Sequence, residues 1–570
     1  MKPLYALLGA MCLLGTAALT ACVPPTAVPP TLTPVQTSTI APSPTPVAAV
    51  PVGPVTGLPT GTDGYPWWND TVFYEVFVRS FYDSDGDGIG DLNGLIAKLD
   101  YLNDGDPNTT TDLGVTGLWL MPIHPAASYH GYDVINYYAV SPDYGTLDDF
   151  KRLLAEAHRR GLRVLIDWVP NHTSNQHPWF RDALNSQSEY HDWYVWADKA
   201  AGSGWHPTQP SGDYYYGYFG DGMPDLNYTN PAVTEQMRDV VRYWLEDVGV
   251  DGFRIDAIKY LIEEGGRSEH TPATHAWLKE FHPFYKAINP EALMLGEIWD
   301  SSGLVADYTK GGDELDLGFN FDMARAILWA AAYRRNTLFN ETLKKDLAVF
   351  PPNQFATFIT NHDQDRVMSV LGGDVARAKA AATLLLASPG VPFIYYGEEI
   401  GMLGRKPDQS IRVPMAWSAE ANGGFTTASF PWIGVNLDYE TKNVAAQTDD
   451  PASLLSFYRD LIGLRNQHAA LRVGETFVPE TGNLAVAAVL RVTEDEAVLA
   501  VVNLGKEPVS DYSLALTESP LRGGYQSAPL LGTGPFAPLT AGASGAFANY
   551  QPLPTLTPYD TVILQLQPRP

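Results

Sequence analysis

Eight short apolar runs rich in β-branched residues recur along the chain, each followed by a stretch with helical period, and this alternation constrains the fold more than any other feature. The runs lie at 72–79, 115–122, 163–170, 250–256, 292–298, 315–322, 355–363 and 391–398. Strands covered on both faces read as continuous apolar runs rather than alternating ones, which is the pattern of buried parallel strands. Eight of them with helices between predict an α/β fold, the (β/α)8 or TIM barrel. In such barrels chemistry gathers at the C-terminal ends of the strands.

The local signals agree with that reading. In one helical segment Leu147, Phe150, Leu153, Leu154 and Ala157 share a face, Thr146 and Asp149 suit a capping box, and Gly161 suits the C-terminal cap. Between the third run and Pro231 the chain is rich in Trp, Tyr, Gly and Asn, including Tyr214, Tyr215, Tyr216 and Tyr218. A structureless loop of that length is unusual, so about 173–226 is expected to form a small inserted domain over the barrel mouth. Beyond Gln467 no helical period appears, and 484–492, 497–503 and 561–566 read as strands separated by turns. The expected organisation is a barrel over 65–466 and an all-β C-terminal sandwich domain over 467–570.

At the N-terminus Lys2 precedes an apolar run over about 4–19, long enough for a signal-peptide core and short for a membrane span. Leu19, Thr20, Ala21 and Cys22 resemble the lipobox of bacterial lipoproteins, in which cleavage precedes a cysteine that receives diacylglycerol. That resemblance implies a lipoprotein signal over 1–22 and lipidation of Cys22. The protein would then be exported and anchored to the outer face of a bacterial membrane, or be extracellular. An ordinary cleaved signal is the alternative. Cys12, in the removed segment, is the only other cysteine, so no disulfide is expected. Residues 23–64 are mostly Pro, Thr, Ala, Val and Ser with no charge before Asp63, the composition of an extended tether.

The formal net charge of −28 disfavours nucleic acid and anionic membrane surfaces, because the molecule's field repels both. A neutral carbohydrate meets no such penalty, and 12% aromatic residues leave rings available to stack on sugars. A monomer touching the membrane only through its lipid is expected.

Three carboxylates close apolar runs: Asp256 in GFRID, Glu297 in GEIW and Asp363 in TNHD. Cleaving a glycosidic bond with retention needs one carboxylate to attack the anomeric carbon and a second, roughly 5 Å away, to protonate the leaving oxygen. Adjacent strands four and five can hold such a pair. An Asp at a strand end also commonly caps the next helix. Three in one barrel, two of them beside Arg or His, favour chemistry. Arg254 lies two residues before Asp256, so both side chains point the same way and the cation would keep Asp256 ionised. Asp167, Asn171 and His172 close run three and His362 precedes Asp363, positions from which histidines can donate to sugar hydroxyls.

The ordered segments DWVPNH, MPDLN, GFRIDAIKY, GEIW and FITNHD resemble those of the family 13 glycoside hydrolases, the α-amylase family. MPDLN is similar to the group intermediate between oligo-1,6-glucosidases and neopullulanases. The resemblance spans about residue 65 to the end. It implies that Asp256 is the nucleophile, Glu297 the general acid/base and Asp363 the stabiliser of the transition state. It also implies that Tyr132, His172, Arg254 and His362 line the subsite of the reacting glucose. Asp133, Arg366 and Arg412 match further sugar contacts, with Asp133 and Arg412 gripping a chain end in exo-acting relatives. Asp167 and Lys259 join the expected substrate-binding set. Lys259 is followed here by Tyr260, where typical α-amylases have a His whose carbonyl binds calcium between barrel and insert. Ala257 is closer to the α-amylases than to the 1,6-glucosidases, in which Val is usual.

A calcium signal stands apart from these. In DSDGDGIGD, Asp83, Asp85 and Asp87 alternate, Gly88 takes the sharp turn, Ile89 offers a carbonyl and Asp91 follows. Hard oxygens at that spacing are Ca2+ chemistry, although Gly94 stands where an EF-hand needs Glu. The loop resembles the first-loop calcium site of oligo-1,6-glucosidase-like relatives. The expected reaction is retaining hydrolysis of α-1,4-glucosidic bonds in starch, maltodextrins and maltooligosaccharides. An exo-acting α-glucosidase, a cyclomaltodextrinase and a transglycosylase would use the same residues, whereas a sugar-binding protein on this fold would not need all three carboxylates.

Overall fold

The computed structural model describes residues 57–200, 202–208 and 212–569. The signal segment, Cys22 and most of the tether lie outside them. Each of the eight runs contains a strand: Phe73–Val76, Gly117–Leu120, Arg163–Trp168, Gly252–Ile255, Leu293–Gly296, Leu317–Gly318, Ala356–Thr357 and Val391–Tyr395. They pair in parallel in chain order, the eighth returning to the first, and the bridge between Phe319 and Ala356 joins the sixth to the seventh. The closed parallel sheet is the expected (β/α)8 barrel. Strands are shorter than the runs because each run also includes the segment leading into the loop above. The seventh stops at Thr357, so Asp363 sits in a turn beyond it.

Burial on both faces explains the continuous apolar runs. Phe73, Trp119, Leu165, Leu293, Leu295 and Phe393 fill the barrel interior. The alternating Tyr74, Leu118, Ile166 and Met294 pack outward against the helices. The helix Leu147–Arg159 carries the capping box of Thr146 and Asp149, buries Phe150, Leu153, Leu154 and Ala157, and ends at Arg160. Gly161 follows at φ 80°, the left-handed backbone that closes a helix.

After the third strand comes the inserted unit, a helix Pro178–Ala183 and a three-stranded antiparallel sheet with Tyr214–Tyr216 between Trp196–Ala197 and Trp205–Pro207. Bridges from His172 to Asp225 and from Tyr194 to Leu226 hold both its ends close to the barrel mouth. The C-terminal domain has a six-stranded antiparallel sheet and a two-stranded one. The expectation of no helix beyond Gln467 is corrected at one point. Ala469–Val473 is helical and the first strand begins at Glu475. Five residues cannot sustain a helix by propensity. Tertiary contacts do so here: Glu496 accepts from the Ala470 amide at 3.1 Å and pairs with His468 at 2.5 Å, while Leu471 and Val473 are buried. No helix among the described residues is long and apolar enough to cross a membrane.

Candidate active site

Strand register begins the site. Asp167 on the third strand is the direct neighbour of Arg254 on the fourth, so both point to the barrel axis. Arg254 is 1% exposed. Its Nη1 donates to Asp167 Oδ1 at 2.8 Å and to Asp256 Oδ1 at 2.8 Å, and its Nη2 reaches Glu297 Oε2 at 2.8 Å. One guanidinium thus spans the carboxylates that leave strands four and five. Ala257, next after Asp256, has φ 52° and turns its amide to Glu297 Oε2 at 3.1 Å. A non-glycine residue there carries backbone strain, and the tertiary frame holds it in place.

The opposite wall is built on His362. Its Nδ1 lies 2.5 Å from Glu75 Oε1, its Nε2 2.7 Å from the Tyr132 hydroxyl and 3.1 Å from Asp363 Oδ2. The rings of Tyr132 and His362 stack at 5.6 Å. Arg412 donates Nη2 to Asp363 Oδ1 at 2.8 Å and Nε to the His362 carbonyl at 2.9 Å. Tyr132 is presented by Gly131, whose φ is +84° and where a Cβ would lie 2.8 Å from Pro122 Cβ, so only glycine fits.

Between these walls lies a cavity of about 200 Å³ lined by Tyr132, His172, Asp256, Glu297, Asp363 and Arg412. The insert contributes Phe219 and Met223 to its rim. His172 is buried and its Nε2 has no hydrogen-bond partner, which leaves it for a ligand. Burial pulls His172 down to about 4, so it is neutral. Burial raises Asp256 and Glu297, opposed in both by Arg254, and Glu297 is raised further by Asp256 and Asp363. Burial acts on Asp363 in the same direction, but His362 and Arg412 overcome it and hold Asp363 far below the carboxylate range.

The sequence model of the α-amylase catalytic domain matches residues 75–474. The chain belongs to the α-amylase family. It therefore falls among glycosidases. Alpha-amylase 3 of Dictyoglomus thermophilum is 39% identical over 455 residues, covering 77% of this chain and 86% of that protein. A trehalose synthase/amylase of Mycolicibacterium smegmatis is 36% identical over 522 residues, covering 79% and 86%. Among solved structures, the alpha-amylase from H. orenii superposes with a TM-score of 0.74 at 38% identity, covering 87% of this chain and 99% of that one. The trehalulose synthase from Pseudomonas mesoacidophila gives 0.76 at 31%, covering 88% and 100%.

Within this α-amylase-family barrel the residues singled out from sequence fall into two groups. Asp167, Arg254 and His362 lie behind the cavity wall and Tyr132, His172, Asp256, Glu297, Asp363 and Arg412 on it. Three others point elsewhere. Asp133 is buried and accepts from the Ser128 hydroxyl at 2.5 Å and its amide at 3.2 Å. Arg366 donates to the carbonyls of Ile411 at 2.8 Å and Tyr396 at 2.7 Å. Lys259 reaches the Trp299 carbonyl at 3.1 Å and Glu269 at 2.9 Å. No hydrogen bond joins Asp133 to Arg412 among the described residues, although the charges of both act on His130. Tyr260, the departure from the family pattern, packs 4.2 Å from the Tyr218 ring and 5.5 Å from Phe219, clamping the insert to the barrel.

Glu75, His130 and Asp408 were not singled out. Glu75 had a signal, since a carboxylate inside a buried apolar run must have a partner. His130 lines the cavity from a loop and Asp408 from the start of the short helix Asp408–Ile411, and neither had one. In the acidic loop, oxygens of Asp83, Asp85 and Asp91 lie within 4.8 Å of one another. Asp87 stands outside that trio, accepting from the Ile89 amide at 2.7 Å. Burial, and then the charges of Asp87, Asp83 and Asp91, push Asp85 up.

Proposed function

We propose that this enzyme hydrolyses α-1,4-glucosidic bonds in starch, maltodextrins and maltooligosaccharides with retention, using Asp256 as nucleophile, Glu297 as general acid/base and Asp363 as the third carboxylate. The observation that carries the reading is the single Arg254 guanidinium bridging Asp256 and Glu297. With a sugar in the cavity, Asp256 attacks the anomeric carbon while Glu297 gives its proton to the leaving oxygen. Asp256 loses its charge to the ester as Glu297 gains one, so Arg254 meets one new anion as the other disappears. Glu297 then removes a proton from water, which displaces Asp256, and two inversions restore the α-configuration. Asp363, kept ionised by His362 and Arg412, offers fixed negative charge to the oxocarbenium-like transition state. Neutral His172 and the Tyr132 ring are suited to the sugar hydroxyls and face.

The preference for α-1,4 bonds is supported by Ala257 and by the relatives named α-amylases. A chain-end grip by Arg412 and Asp133 belongs to the same reading: Arg412 lines the cavity, and the charge of Asp133 acts on His130 and His172, which line it too. The test is kcat/KM for maltotriose against isomaltose, with the anomer released followed by NMR. The ratio should exceed one and the α-anomer should appear first; a ratio below one would overturn the linkage.

Two further parts of the reading concern export and calcium. Cys22 carries a lipid on the exported enzyme: Cys22→Ser should leave the membrane fraction, and wild-type protein without lipid by mass spectrometry would refute it. The acidic loop binds Ca2+: its donors are hard oxygens and its carboxylates repel one another. Asp83, Asp85 and Asp91 would hold the ion, which would stabilise the loop, and none of the three lines the catalytic cavity.

A further inference from the structure

A second cavity of about 590 Å³ opens beside the first, lined by Trp299, Asp300, Phe321, Arg325, Trp329 and Gln364 among others. Trp299 lies two residues beyond Glu297 and Gln364 follows Asp363, so this cavity flanks the segments that carry two of the three carboxylates, with lining residues of its own. Phe321 at its base is buried, but its two tryptophans are not core. Trp299 is 46% and Trp329 45% exposed, and Tyr333, one helical turn further on, is 68% exposed. Trp299 stacks on Phe321 at 4.6 Å and 11°, which fixes its ring as a platform. Trp329 meets Tyr333 edge to face at 5.6 Å. Phe321, Arg325 and Trp329 lie along the helix Phe321–Tyr333, at spacings of four residues that put them on one face. Polar groups flank the rings. Gln364 has a buried amide oxygen with no partner, and Arg325 and Asp300 offer a donor and an acceptor at the edges. Exposed rings flanked by uncharged and charged hydrogen-bonding groups are the chemistry of a neutral polyhydroxylated chain, whose C–H faces stack and whose hydroxyls need donors and acceptors.

From this adjacency and the exposed rings we propose that Trp329, with Arg325 and Tyr333, forms an outer glucan-binding subsite that seats the distant leaving-group end of long chains. The direction follows from Glu297. The residue that protonates the leaving oxygen stands on the leaving-group side, and the cavity begins at the strand end that carries it. A chain crossing Trp299 therefore reaches Trp329 only when several glucose units lie beyond the cleaved bond. The subsite rests on the α-glucan reading above and gives it a chain-length preference, with binding energy taken from remote units spent on longer substrates.

The test compares maltoheptaose with maltotriose. Trp329→Ala should lower the ratio of their kcat/KM values by about fivefold, while Trp329→Phe, which keeps a stacking face, should hold it within about twofold of wild type. A Trp329→Ala variant with the wild-type ratio would overturn the subsite. Protection needs no change at the position itself: in the inactive Glu297→Gln enzyme, maltoheptaose should shield Trp329 and Tyr333 from hydroxyl-radical labelling and maltotriose should not. Equal labelling with and without maltoheptaose would also overturn it. If wild-type enzyme cleaves no α-glucan the functional reading fails; if it does and the ratio is insensitive to Trp329, the subsite alone fails.

Discussion

Arg254 illustrates why the site depends on single residues. A buried cation with three carboxylate partners is stable only while the charges offset one another, and removing any partner leaves an uncompensated charge. Asp256→Asn and Glu297→Gln keep nearly the same shape, so both should fold yet lose about a thousandfold or more in turnover. Either retaining more than about a hundredth of wild-type kcat would remove that residue from its role. His362 adds a pH dependence. Burial lowers it, but Asp363 and Glu75 raise it from 6.5 to about 9. Its folded-state affinity for the proton exceeds that of the unfolded chain, so its stabilisation is complete below about pH 6.5 and is lost as pH rises through about 9. The melting temperature should fall across that window, and His362→Gln should flatten the fall. A wild-type curve flat from pH 6.5 to 9 would contradict the charged imidazolium.

At the scale of elements, two short segments can be separated experimentally. In the acidic loop Asp83 accepts from the amides of Gly86 at 2.7 Å, Gly88 at 2.8 Å and Asp85 at 3.1 Å, so Asp83→Ala should destabilise the protein even in chelator. Asp85 is exposed and has one such bond, from Asp87 at 3.1 Å. Asp85→Ala should therefore cost little in chelator and abolish most of the calcium-dependent rise in melting temperature. No calcium-dependent rise in wild type would refute the metal. Gly88 is confined by the same folding: its φ is +96° and a Cβ would lie 2.6 Å from the Phe430 carbonyl. The capping box of the helix Leu147–Arg159 gives a smaller effect. Thr146→Ala should cost about 1 kcal/mol of helix stability, read as faster amide exchange in its first turn. Unchanged exchange there would show that packing alone sets that end.

Barrel and C-terminal domain share one apolar core. Ala487, Val489, Val498, Ala500 and Ile563 pack with the barrel helices, while Val486, Ala488, Leu490 and Leu564 face the sandwich interior. Asn336 donates to the Val486 carbonyl at 2.6 Å and Arg491 to Asn353 at 3.0 Å across the same junction. Deleting 475–570 should therefore give insoluble barrel rather than an independent enzyme, because apolar surface and buried polar partners would be uncovered together. A soluble, active truncation would show that the junction is dispensable. This boundary also marks the reach of the sequence. Periodicity by itself determined eight strands and their order, since a strand buried on both faces must be apolar throughout and parallel strands need helices between them. It determined Asp256, Glu297 and Asp363 at the ends of three runs for the same reason, and the family's ordered segments gave each its expected role. Only the tertiary structure decided what surrounds them. Glu75 under His362, Arg254 reaching across to Glu297 on the next strand, and Trp299 and Trp329 lining one cavity all join residues far apart in the chain. Such pairings depend on which strand ends and helix faces closure of the barrel brings together, and periodicity records only whether a residue faces in or out.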